Sequence, residues 1–149
     1  IEMIYEQSCM LETKIKNILE NVKQVPRNYD ILLIEDDPAT LQLLTSYFEN
    51  LGYKVNGAVS GTQALRELKS SKPRVILLDV MLPDISGYEL SNTIKNAKDW
   101  ENIPIYLLTA MPSSEVKKRK NEMQVDGVIL KPFDFSDFKN VINYLKKTP

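Results

Sequence analysis

Two apolar runs in this chain lead straight into acid. Ile31, Leu32, Leu33 and Ile34 are followed by Glu35, Asp36 and Asp37, then Pro38, while Val75, Ile76, Leu77 and Leu78 are followed by Asp79, Val80, Met81, Leu82 and Pro83. Two further runs end in polar groups of another kind. Residues 105–108 end at Thr109, and residues 128–130 at Lys131, with Pro132 behind it. Taken singly, each has an ordinary explanation. Asp37 sits where a helix N-cap belongs, with Pro38 at the first helical position, where its missing N–H does no harm. Glu35 and Asp36 could form a solvated turn, Asp79 and Thr109 could be caps, and Lys131 could be a surface amine.

As a set they point to chemistry. Adjacent carboxylates at the end of a buried strand repel each other and tolerate desolvation only beside a cation. Neighbouring strand ends lie roughly 5 to 10 Å apart, which would gather Glu35, Asp36 and Asp79 into one crevice. Such a crevice suits a hard cation. Mg²⁺ takes one or two carboxylates, several waters and a phosphate oxygen. A hydroxyl and an ammonium at the same rim complete the parts of phosphoryl transfer: a nucleophile, a metal and stabilisers of the equatorial charge.

The surrounding pattern must hold these groups together. Short apolar runs are expected as strands at residues 31–34, 53–56, 75–78, 105–108 and 128–130, with helical patterns at 39–51, 61–70, 88–97, 113–123 and 135–146. The first, third and fourth strands are almost continuously apolar, as central parallel strands covered on both faces should be. Strand–helix alternation predicts a doubly wound α/β domain, in which ligands bind at the carboxyl ends of the strands. Those ends carry the polar residues named above.

Ahead of this domain, Ile4, Leu11, Ile15, Ile18, Val22 and Val25 follow a heptad spacing interrupted only by Ser8, and Pro26 closes the pattern. We expect residues 1–27 to form a helical linker and residues 28–149 to form the α/β domain. The seam fits either a homodimeric coiled coil or a helix laid on the domain. A chain that opens at Ile1 rather than Met is expected to be a piece of a longer protein.

Composition excludes several classes. The 149 residues are 43% hydrophobic and 26% charged with a formal net charge of −1, the balance of an ordinary globular protein rather than of a nucleic-acid or membrane surface. There is no histidine. That rules out His-based acid–base catalysis, most zinc sites and a phosphohistidine on this chain. A single cysteine, Cys9, excludes an intramolecular disulfide framework and fits a reducing, cytoplasmic compartment. No apolar run is long enough to span a bilayer, and no signal pattern precedes the domain.

The stretches ILLIEDDP, VILLDVMLPDISGYEL, IPIYLLTA and GVILKPF, in this order, resemble the response-regulator receiver domain of two-component signalling, of the chemotaxis-regulator kind. The resemblance covers about residues 30–147. It implies a flavodoxin-like five-stranded parallel sheet in the order 2-1-3-4-5. It implies Asp79 as phosphoacceptor, with Glu35, Asp36, Asp79 and the main-chain carbonyl of Met81 holding Mg²⁺. Thr109 would bind the phosphoryl group, Lys131 would neutralise it, and Pro132 would follow a cis peptide. The phosphodonor would be a sensor histidine kinase, and the product an acyl phosphate read through movement of Thr109. The domain would not be a conventional enzyme, since it assists transfer only onto its own aspartate.

One position departs from the family, which usually carries Tyr or Phe three residues before the lysine. Here it is Val128, a stiff β-branched residue with no ring to swing, which leaves loop movement, the fourth helix or a dimer interface to carry the signal. Met81 and Met111, flanking the site, cannot orient a hydrolytic water, so slow autodephosphorylation is expected. The alternative is a pseudo-receiver, an unphosphorylated interaction module. It predicts damage to the acidic pair, the acceptor or the lysine, and all are intact. A flavin-binding electron carrier of the same topology would need a Ser/Thr/Gly-rich phosphate loop where this chain has EDDP. An aspartate-nucleophile phosphatase would need an acid two residues beyond Asp79, where Met81 stands.

Overall fold

A computed structural model of the chain describes residues 29–119 and 122–147, and the heptad segment expected at 1–27 lies outside them. Five strands, β1 (Ile31–Ile34), β2 (Val55–Ala58), β3 (Val75–Asp79), β4 (Ile105–Thr109) and β5 (Gly127–Leu130), form one parallel sheet in the order β2-β1-β3-β4-β5. Between them run α1 (Pro38–Asn50), α2 (Gly61–Ser70), α3 (Gly87–Lys95) and α4 (Ser113–Arg119). After β5 a single 3₁₀ turn (Phe135–Phe138) leads into α5 (Lys139–Lys147). This is the flavodoxin-like, doubly wound α/β fold. Among the described residues no helix is long and apolar enough to cross a membrane.

Alternation along each strand divides the core in two, because successive side chains point to opposite faces. Leu32, Ile34, Ile76, Leu78, Ile105 and Leu107 pack under α2 and α3 through Ala64, Leu68, Leu90 and Ile94. Ile31, Leu33, Val75, Leu77, Leu108 and Ile129 pack on the other side with Leu44 and Phe48 of α1 and Phe138, Val141 and Leu145. Full burial of one such side chain favours folding by about 1.5–3 kcal/mol, so the central strands make a stiff mount for whatever their ends carry.

Parallel register brings those ends to one edge. Ile34 pairs with Leu78, Asp79 with Leu108, and Thr109 with Leu130. The ladder runs on past the strands, with Glu35 N donating to Ala58 O at 2.9 Å and Lys131 N to Thr109 O at 2.7 Å.

Three elements differ from expectation. β2 lies two residues later than the predicted 53–56, because its small residues carry no apolar signal: Leu41 of α1 lies against Gly57, and Ala58 is buried on the other face with Ala64 and Leu68 of α2. The helical pattern predicted to reach Met123 does not, since Glu122 N and Met123 N both donate to the Arg119 carbonyl and Met123 and Val125 then turn onto the core. The last helix begins as a 3₁₀ turn because Asp134 and Asp137 form a reciprocal capping box.

Candidate functional site

The first element to bear on the site is the β1–α1 turn. Asp37 is the N-cap of α1, its carboxylate accepting from Thr40 N at 3.1 Å and from the Thr40 hydroxyl at 2.5 Å, and Pro38 occupies the first turn. With Asp37 so engaged, Glu35 and Asp36 are left on the strand side of the turn. Glu35 is fully buried, whereas Asp36 is exposed. Glu35 Oε1 accepts from Asp37 N at 3.2 Å, which turns its other oxygen toward β3 and β5, where Lys131 Nζ meets Oε2 at 3.1 Å.

Asp79 closes β3 and is also buried. Its Oδ1 accepts from Met81 N at 3.2 Å and lies 3.5 Å from Lys131 Nζ. One carboxylate oxygen from each of Glu35, Asp36 and Asp79 falls within 4.8 Å of the others. Thr109, at the end of β4, is buried, and its hydroxyl accepts from Met111 N at 3.0 Å. The Lys131–Pro132 peptide is cis. Val128 lies in β5 opposite Leu107 and packs, half-buried, on the core.

The electrostatics are unbalanced. Burial pushes the Glu35 carboxyl above its ordinary value of 4.5, and the charge of Asp79 adds to this. The Lys131 hydrogen bond and charge pull the other way without cancelling it. For Lys131, burial disfavours the ammonium, but the hydrogen bond to Glu35 and the charges of Glu35 and Asp79 outweigh it and hold the lysine above its ordinary 10.5. One ammonium therefore faces two buried carboxylates and remains charged while leaving them under-neutralised. That deficit is what a further cation relieves.

The donor set fits Mg²⁺. It is entirely oxygen, as a hard cation requires, and a hexacoordinate ion with ligands at about 2.1 Å spans at most about 4.2 Å between oxygens. The three carboxylates stand at most slightly wider than that.

Sequence reasoning did not find two contacts around this rim. Asp84, in the β3–α3 loop, binds the start of α2 through Gly61 and Thr62. The hydroxyl of Tyr88 meets Met111 Sδ at 3.4 Å, and the Arg119 guanidinium lies 5.8 Å from the centre of the Tyr88 ring. Both join residues far apart in the chain, and no local pattern announces them.

Residues 31–143 match the response regulator receiver domain. A probable methanogenesis regulatory protein, FilR2, from Methanothrix harundinacea is 32% identical over 125 residues, covering 78% of this chain and 81% of that protein. Other curated relatives are transcriptional regulators, and this chain spans about half their length, 43% to 53%. Among solved structures, the signal receiver domain of a signal transduction histidine kinase from Syntrophus aciditrophicus has a TM-score of 0.69 at 30% identity, covering 80% of this chain and 88% of that one. The response regulator TrrA from Thermotoga maritima, solved in complex with Mg²⁺-BeF, has a TM-score of 0.67 at 30% identity, covering 77% and 96%.

Proposed function

The chain belongs to the response regulator receiver domain family, and on that premise we propose that Asp79 accepts a phosphoryl group and that the domain switches a partner or neighbouring domain accordingly. The observation that carries this reading is the position of Lys131, 3.1 Å from Glu35 and 3.5 Å from Asp79, beside three converging carboxylates. One ammonium neutralises only one of the three carboxylates that converge here. That leaves an excess of negative charge at a rim where the sheet presents a nucleophile.

Glu35, Asp36, Asp79 and the Met81 carbonyl would hold Mg²⁺, which when bound supplies positive charge to the phosphoryl oxygens. A carboxylate oxygen of Asp79 attacks phosphorus in line with the leaving group. The P–N bond of a phosphohistidine on a separate kinase breaks, its electron pair stays with the imidazole nitrogen, and Asp79 is left as an acyl phosphate. Residues 1–149 contain no histidine, so the donor lies outside this segment. Lys131 pairs with the incoming oxygens, and the Thr109 hydroxyl, which accepts from Met111 N, donates its O–H to one of them. That movement draws the β4–α4 loop inward and biases an existing equilibrium. The domain is no enzyme in the usual sense, since its one substrate site is its own side chain.

Incubation with acetyl phosphate and Mg²⁺ tests the reading by intact-mass measurement. Wild-type protein should gain one phosphoryl group, and Asp79→Asn should gain none. An unmodified wild type would favour an interaction module that is not phosphorylated. The acyl phosphate should also persist, because the Met81 side chain is 76% exposed and apolar and, like Met111, offers nothing to align a water. Decay within a few seconds would contradict this.

A further inference from the structure

The loop joining β3 to α3 carries a tether that the phosphoryl chemistry does not itself require. Asp84 Oδ1 accepts from Gly61 N at 2.9 Å, and Oδ2 accepts from the Thr62 N–H at 2.8 Å and the Thr62 hydroxyl at 2.6 Å. The first four N–H groups of a helix have no partner within it. In α2 the N-cap hydroxyl of Ser60 takes Gln63 N at 3.1 Å, and the first bond within the helix runs from Ala64 N to the Ser60 carbonyl at 3.0 Å. The N–H groups of Gly61 and Thr62, which have no partner in the helix, go to Asp84.

Packing follows the same line. A Cβ on Gly61 would stand 2.1 Å from Ile85 Cγ2, so the loop lies directly on the backbone at the start of α2. Ser60 caps α2 from its own side through Gln63 alone, and Asp84 takes the Gly61 and Thr62 N–H groups from across the β3–α3 loop. What Asp84 adds is a fixed point within a segment, residues 80–86, that has no helix or strand of its own. The segment is closed at its ends by Met81 N on Asp79 Oδ1 at 3.2 Å and Gly87 N on Val80 O at 2.9 Å. Met81 forms the first of those closures, ahead of the Asp84 anchor on the same segment.

We propose that Asp84 is a positioning residue: its tether to Gly61 and Thr62 sets the path of the β3–α3 loop so that the Met81 carbonyl can complete a cation site with Glu35, Asp36 and Asp79. The inference rests on the reading of that cluster as a Mg²⁺ site. Residues that orient ligands without touching the metal typically change its affinity by roughly 10- to 100-fold, and a loop tether belongs at the lower end.

Isothermal titration of the full chain with Mg²⁺ decides the matter, using wild type, Asp84→Ala, Thr62→Val, Thr62→Ser and Ser60→Ala. Asp84→Ala should bind Mg²⁺ roughly tenfold more weakly. Thr62→Val should lose less, and Thr62→Ser, which keeps the hydroxyl, should bind as wild type does. Ser60→Ala removes the cap of the same helix, so it should lower the melting temperature and leave Mg²⁺ affinity alone. If Asp84→Ala does not fold, the Thr62→Val and Thr62→Ser pair gives the answer. Equal affinity in wild type, Asp84→Ala and Thr62→Val overturns the tether while sparing the metal site, as does a loss in Ser60→Ala that matches Asp84→Ala. A wild type that binds no Mg²⁺ overturns both.

Discussion

At the scale of single residues, two carboxylates show opposite ways of living in a fold. Glu35 is buried first and neutralised second. Desolvation and Asp79 raise its pKa, and Lys131, shared with Asp79, only partly offsets them. Asp84 is exposed to solvent but heavily bonded. The Thr62 hydroxyl foremost, then the Thr62 and Gly61 N–H groups, lower its pKa from 3.8 to about 2. A folded-state value below the unfolded one means that the carboxylate's bonds favour the native state fully above about pH 4, and that this contribution is lost as pH falls through about 2. Carboxyl ¹³C titration should therefore place the Asp84 midpoint at about 2. Asp84→Asn should flatten the acid limb of the stability curve between about pH 4 and about 2. An ordinary midpoint would mean that the three bonds do not hold in solution.

At the scale of elements, α3 approaches the end of β3 more closely than any side chain permits. A Cβ on Gly87 would lie 2.5 Å from the Asp79 carbonyl oxygen and 2.7 Å from Val80 Cα. Both are backbone atoms at the end of a central strand, which has no room to yield. Gly87→Ala should cost about 1–3 kcal/mol in urea denaturation and slow phosphorylation as well, since the strain falls on Asp79. Gly57→Ala is the control: its Cβ would meet the terminal methyl of Leu41 at 3.2 Å, a side chain free to turn aside. Equal costs at the two glycines would contradict this account. The same elements explain what could be read beforehand. β1, β3 and β4 are legible because helices on both faces force continuous apolar runs. Glu35, Asp79, Thr109 and Lys131 are legible as the first polar residue after such a run, and parallel register gathers them at one edge. β2 is less legible because Gly57 and Ala58 are covered by α1 and α2 from opposite faces rather than marked by their own hydrophobicity. Asp84 was missed because its partners begin a helix 22 and 23 positions away, and a short LPD segment reads simply as a turn.

At the scale of the whole molecule, a cation held at the rim would couple folding to metal. A site that concentrates buried negative charge weakens the native state, and any cation that binds only the native state restores what was lost. At a Mg²⁺ concentration about 100 times the dissociation constant, that linkage amounts to about 2.7 kcal/mol, or a rise of roughly 5 to 10 °C in Tm for a domain of this size. Asp79→Asn removes one of the repelling charges and one of the ligands together. In chelator it should melt above wild type, by about 0.5–2 kcal/mol of added stability. In saturating Mg²⁺ it should gain less than wild type, so the two melting temperatures converge or cross. Potassium chloride at matched ionic strength separates binding from screening, because screening acts on both proteins alike and leaves their order unchanged. A wild-type melting temperature indifferent to Mg²⁺ would mean that the three carboxylates, for all their proximity, do not share an ion.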